Sequence, residues 1–144
     1  MTKCDDKSGY DHLLLSTESS QTYFGFEWGG LWFVCSALPF GWKMFPYVYH
    51  TTGLAVSGFL RKQGIPCLLY IDDRLNGELV TKSGPWSILY SDRREEFRLK
   101  AATAAIFIVL SLLVELGYTI GISITVLYPT TSLEYLGFLV DCEK

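Results

Sequence analysis

The chain has 144 residues, 49% of them hydrophobic and 15% aromatic, a composition that suits one packed domain and excludes disorder except at the ends and one loop. Its 12 Lys and Arg against 15 Asp and Glu leave a formal charge of -3. With a pI near 5.3, that balance argues against a free-standing nucleic-acid binder, since affinity for a phosphate backbone comes mostly from basic side chains displacing counterions.

In chain order, an extended segment at the start ends in Asp5-Asp6. Residues 22–28 and 31–37 are β-prone runs joined by Gly29-Gly30, which predicts a hairpin, because primed two-residue turns need positive φ. A helix is predicted from Lys43 or Pro46 to Gln63, with Val48, Ala55 and Phe59 on one face and Arg61 and Lys62 in its last turn. Gly64 and Pro66 stop it. Residues 67–71 are short, apolar and bounded by Pro66 and Asp72-Asp73, so they read as a buried strand that ends in charge, with a turn at Asn76-Gly77 beyond.

After a loop through Pro85, Asp92 with Glu95 three residues later predicts the capped start of a long helix that stops at Gly117. Residues 118–127 and 133–140 read as strands around a turn at Pro129. The order is strand, helix, hairpin, helix, strand pair, helix, strands, which predicts an α+β sandwich with helices on one face of an antiparallel sheet. Residues 101–114 are almost wholly apolar. Glu115, Gly117 and Gly121 break the run and leave about 14 residues, which suits a buried helix better than a bilayer span. The basic clusters at Arg61-Lys62 and at residues 93–100 read as solvated helix ends or faces.

Cys4, Cys35, Cys67 and Cys142 are widely spaced, and only His12 and His50 could join them, so neither a zinc site nor a disulfide framework is signalled. Buried free thiols in a reducing, intracellular compartment are expected, and no secretory leader is evident.

Chemistry points to the acidic pairs. Asp5-Asp6 and Asp72-Asp73 each sit where an extended segment meets a turn. If the two segments lie side by side, three or four carboxylates converge, and such crowding makes sense once divalent cations neutralise it. Two Mg²⁺ ions, about 3.5 to 4 Å apart, would clamp the oxygens of an in-line phosphoryl displacement. The plain alternative is that these are turn residues bonding their own backbone.

Tyr70-Ile71-Asp72-Asp73 resembles the catalytic box of reverse transcriptases, and other segments match that family in order. Asp5-Asp6-Lys7-Ser8-Gly9-Tyr10 resembles its first metal-binding motif, in a register that makes Asp5 the ligand and Asp6 a decoy in a usually apolar position. Leu38-Pro39-Phe40-Gly41 and the segment 133–138 resemble the nucleotide-side loop and the primer grip. LTR-type and tyrosine-recombinase retrotransposons look most similar.

The resemblance implies a ferredoxin-like polymerase palm over residues 1–144, the fragment of an RNA-directed DNA polymerase whose fingers and thumb are missing. It implies Asp5, Asp72 and Asp73 as catalytic ligands of two Mg²⁺ ions, with Mn²⁺ as a substitute, and the Asp6 carbonyl as a further ligand. Tyr10 would exclude a ribose 2'-hydroxyl, Phe40 and Gly41 would admit template and incoming base, and Leu136 and Gly137 would hold the primer end. Partners would be an RNA or DNA template with primer, and a dNTP. Tyr10 as core packing, Phe40-Gly41 as a turn, and Tyr135, Leu136 and Phe138 as sheet core are the plainer readings. Without fingers and thumb to grip substrate the isolated chain is expected to be inactive, and Ile124 stands where the family commonly has a Lys that protonates pyrophosphate, so even a completed polymerase is expected to be slow. The competing readings are a catalytically dead remnant serving as a structural or interaction module, and a protein anchored through residues 101–127.

Overall fold

Period-two alternation organises the central sheet. In β1 (Thr2–Asp5) Thr2 and Cys4 are buried while Lys3 and Asp5 are half-exposed, and in β5 (Asp73–Asn76) Arg74 and Asn76 are buried while Asp73 and Leu75 are not. The computed structural model describes residues 1–79 and 94–142. β1 and β4 (Cys67–Tyr70) both pair antiparallel with β5, so the order is β1-β5-β4 and β5 is central. This corrects the expectation of a buried strand at residues 67–71. β4 is an edge strand whose Leu68 and Tyr70 are exposed. The polar run Asp73-Arg74-Leu75-Asn76 takes the middle instead.

The buried face of the sheet packs on two helices. α2 (Phe45–Lys62) has Pro46 in its first turn and Arg61 and Lys62 in its last, and Gly64 at φ 86° ends it as predicted. Its buried stripe is Phe45, Tyr49, Gly53, Val56, Ser57 and Leu60. Ala55 and Phe59 are exposed, so the face drawn through Val48, Ala55 and Phe59 is the outer one. Gly53 explains the choice: a Cβ there would lie 2.7 Å from Leu69 Cδ2, so the helix seats closely against β4 only along that stripe.

α3 (Arg94–Glu115) buries Ala102, Ala105, Ile106, Val109 and Leu113, a helical i, i+3, i+4, i+7 stripe. Ala105, Ile106, Val109 and Leu113 join Cys4, Val56, Leu60, Ile65 and Cys67 in the core. By length and composition α3 could cross a membrane, and 28% of its most apolar stretch is buried in the domain. The expected cap at Asp92 and the loop through Pro85 lie outside the described residues. At the other end Gly117 (φ 84°) lets the Tyr118 N–H return to the Leu113 carbonyl at 2.9 Å, closing the helix.

The glycine-turned hairpin forms from β2 (Phe26–Trp28) and β3 (Leu31–Phe33), with Gly29 and Gly30 at φ 60° and 75°. Its arms are shorter than expected. Thr22 belongs to α1 (Glu18–Tyr23), which Thr17 caps by accepting the Ser20 N–H at 3.2 Å. All six strand residues of this hairpin are exposed.

Residues 118–127 form no strand. They touch β1 and the residue after it through isolated bridges at Lys3–Val126 and Asp6–Ile120, because a turn closed by Ile124 N–H on the Gly121 carbonyl interrupts them. β6 (Ser132–Tyr135) and β7 (Phe138–Asp141) form a hairpin around Leu136-Gly137, both at positive φ. The class is therefore α+β with antiparallel strands, divided among separate small sheets rather than one. Cys4 and Cys67 are buried free thiols as expected. Cys35 is half-buried and Cys142 exposed, which departs from that expectation.

Candidate metal centre

Strand register brings the acids together. Asp5 stands directly opposite Asp73 on the half-exposed face of the sheet, and Tyr70 pairs with Asp73, so Ile71-Asp72 is a two-residue turn. Ile71 sits at φ 54°, in the left-handed region where a β-branched residue costs about 1–3 kcal/mol. Two bonds hold this turn: the Ile71 N–H donates to His50 Nδ1 at 3.2 Å, and the Asp6 N–H to the Asp72 carbonyl at 3.3 Å. One carboxylate oxygen from each of Asp5, Asp72 and Asp73 then lies within 4.8 Å of the others.

Like charges this close resist ionisation. Burial, followed by the charges of Asp72 and Asp73, pushes the Asp5 carboxyl up to about 6, and burial raises Asp72 as well. Lys3 Nζ lies 3.2 Å from Asp73 Oδ1 and answers part of the charge. The donor set consists of oxygen atoms only, which fits Mg²⁺ or Mn²⁺ and not a soft metal. A Cβ at Gly121 would stand 3.1 Å from Asp5 Oδ2, so this glycine keeps room beside the ligand atoms. An open cleft of about 650 Å³ runs from Asp5 and Asp72 past Lys7 and Ser8 to Ser123 and Ile124.

Asp6 behaves as a decoy. Its side chain turns to the opposite side of the chain, where it is buried, accepts a hydrogen bond from the Tyr49 hydroxyl at 2.6 Å and pairs with the Arg74 guanidinium. Arg74 in turn lies 5.1 Å from the centre of the Tyr118 ring. Sequence reasoning missed this network. A signal existed, since an Asp in a usually apolar position needs a buried cation, and Arg74 alternates onto the inward face.

Tyr10 lies in a 3-10 turn over Gly9–His12, with its ring 3.9 Å from Phe45, 5.5 Å from Phe40 and 5.6 Å from Tyr49 between centres. Burial first, and the Asp72 charge second, raise its phenol. Phe40 is 86% exposed and Gly41 sits at φ 94°, so Tyr10 and Phe40 meet edge to face with Phe40 in solvent. Leu136 and Gly137 form the tip of the β6–β7 hairpin and do not line the acidic cleft. The hairpin reaches the centre through Tyr135, a buried ring whose hydroxyl donates to the Asp73 carbonyl at 3.2 Å. Leu136 and Phe138 are exposed and are not sheet core.

No family model matches the chain, and no curated protein matches it. Among solved structures it is similar to a foamy viral protease-reverse transcriptase in complex with dsDNA, at 20% identity and TM-score 0.68, over 97% of this chain and 24% of that one. The same kind of protein in complex with an RNA/DNA hybrid matches at 20% identity and TM-score 0.66, over 98% of this chain and 16% of that one. A Prototype Foamy Virus protease-reverse transcriptase mutant matches at 20% identity and TM-score 0.68, over 97% and 16%. At such identity the likeness is one of fold: the chain has a reverse-transcriptase-like fold, and it spans about a quarter of the first of these proteins.

Proposed function

We propose that the chain is the ferredoxin-like palm portion of an RNA-directed DNA polymerase from a retrotransposon of LTR or tyrosine-recombinase type. The observation that carries this reading is the convergence of Asp5, Asp72 and Asp73 within 4.8 Å in a fold of reverse-transcriptase type. Asp5 and Asp72 would hold divalent ions with Asp73 beside them. Bound there, two Mg²⁺ or Mn²⁺ ions would supply the positive charge that assists attack of a primer 3'-hydroxyl on the α-phosphate of a dNTP.

The remaining roles belong to the protein's own groups. Tyr10, braced by Phe45, would block a ribose 2'-hydroxyl, and exposed Phe40 with Gly41 would border template and incoming base. Leu136 and Gly137 would hold the primer end at the tip of a hairpin tied to β5. Template with primer and dNTP are the proposed partners, with basic fingers and a thumb supplied by other segments, in an intracellular setting.

A second reading, a catalytically inactive remnant, draws support from Ile124, an apolar residue on the cleft wall, and from Lys7, the one basic residue among those lining the cleft. Isothermal titration tests the first point: Mn²⁺ or Mg²⁺ should bind the chain and not an Asp5→Asn, Asp72→Asn double variant, and equal binding to both would refute the metal centre. Primer extension separates the readings. Product from the chain fused to a basic fingers segment supports the polymerase; absence of product from both chain and fusion supports the remnant.

A further inference from the structure

We propose that Lys3 is a built-in counter-cation of the acidic cluster, a positioning residue that holds Asp73 in an ion pair and thereby leaves Asp5 and Asp72 to take a divalent ion. The inference rests on the reading of the cluster as a metal centre. Lys3 lies two residues before Asp5 on β1, so both side chains stand on the same face of the sheet, and its ammonium is 3.2 Å from Asp73 Oδ1.

This pair differs from the other ion pairs of the described residues. The side chains of Lys3 and Asp73 are 20% and 22% exposed, against 49% and 37% for Arg98–Glu78 and 73% and 56% for Lys100–Glu96, so Lys3–Asp73 is the less screened of the partly exposed pairs. Its base is rigid as well. Lys3 is paired with Leu75 in the sheet, and on its other side it exchanges bonds with Val126, donating at 3.2 Å and accepting at 2.8 Å. A lysine on a loose loop could swing away when a metal arrives, whereas this one is delivered from a strand held on both edges.

Charge counting gives the consequence. Three carboxylates carry three negative charges, and one ammonium leaves two, the charge of a single divalent ion. An entering ion meets the Lys3 field and finds Asp73 already engaged. Removal of the ammonium exposes the third carboxylate and removes a repulsion, and both changes tighten binding. With the ion a few ångströms from the ammonium in a high-dielectric cleft, the Coulomb term corresponds to about 5- to 10-fold in affinity.

The test is titration of the full chain with Mn²⁺, alone and without nucleotide, followed by isothermal calorimetry and by the electron paramagnetic resonance signal of free Mn²⁺. Lys3→Met should bind Mn²⁺ about 5- to 10-fold more tightly than the parent, and Lys3→Arg, which keeps the charge, should stay near it. Asp73→Asn should weaken binding in both backgrounds, since either way the cluster loses one negative charge, and more strongly in the Lys3→Met background, where Asp73 is free to ligate. Far-UV circular dichroism of each variant checks the fold, and Lys3→Gln replaces Lys3→Met if the latter does not fold. Unchanged or weaker binding by a folded Lys3→Met or Lys3→Gln variant overturns the counter-cation role, as does an Asp73→Asn effect of equal size in both backgrounds. Binding that survives the Asp5→Asn, Asp72→Asn double change overturns the metal centre itself, and this inference with it.

Discussion

Replacing Asp6 by Asn removes one charge from a pair that has no access to water. The side chains of Asp6 and Arg74 are both 0% exposed, and the carboxylate also accepts the Tyr49 hydroxyl at 2.6 Å. Arg74 Nε and Nη2 already have no hydrogen-bond partner, so the guanidinium depends on Asp6 for compensation. Breaking a buried pair by removing one partner costs about 3–5 kcal/mol, because the other charge stays buried and alone. For a domain of this size each kcal/mol moves Tm by about 2–4 °C or slightly more, so Asp6→Asn should melt roughly 10 °C lower. Urea unfolding followed by circular dichroism measures the loss directly, provided the slope is unchanged. The double variant Asp6→Leu, Arg74→Met should recover most of the stability, since a well-packed apolar replacement of a buried pair is about neutral or better. A single-variant cost under about 1 kcal/mol, or a double variant as unstable as Asp6→Asn, would refute this account of the network.

Other tests follow from the same contacts. The Asp5 carboxyl stands at about 6 in the fold against 3.8 unfolded, so the folded state binds the extra proton; its contribution is full below 3.8 and is lost as pH rises through about 6. Urea midpoints in EDTA should therefore fall across that window, and Asp5→Asn should flatten the slope; an identical slope in the variant would tell against the assignment. A Cβ on Gly9 would lie 2.5 Å from the Tyr49 hydroxyl oxygen and 2.7 Å from Cζ, so Gly9→Ala must displace a ring that also serves Asp6. A loss of about 1–3 kcal/mol by urea unfolding is expected, and a neutral result would mean that the ring has room to move. Gly121→Ala places its methyl 3.1 Å from Asp5 Oδ2 and should weaken Mn²⁺ binding in calorimetry while moving the urea midpoint little; equal affinity would remove Gly121 from the centre.

How far the candidate site was legible depended on the range of each signal. Asp5, Asp72 and Asp73 emerged from motif register, and the fold gathers those three while Asp6 faces away. The roles of Tyr49, Arg74 and Lys3 were not legible, because each depends on a partner 43, 68 or 70 residues away in the chain. The strand at residues 118–127 failed for a related reason: its apolar residues read as extended, but the turn at Gly121 folds them into a loop along the cleft.

What the sequence by itself determined is local. Gly29-Gly30 makes the hairpin turn because both residues need positive φ, and α2 runs from Phe45 to Lys62 because Pro46 in its first turn and Gly64 just past its end start and stop a helix. Only the tertiary structure decided that a polar segment, Asp73–Asn76, occupies the centre of the sheet, and that Gly53 selects the buried face of α2. Backbone preferences act over a few residues and are written in them. The order of strands, and the partner each buried charge meets, arise from contacts between distant segments, so they exist only once the chain has folded.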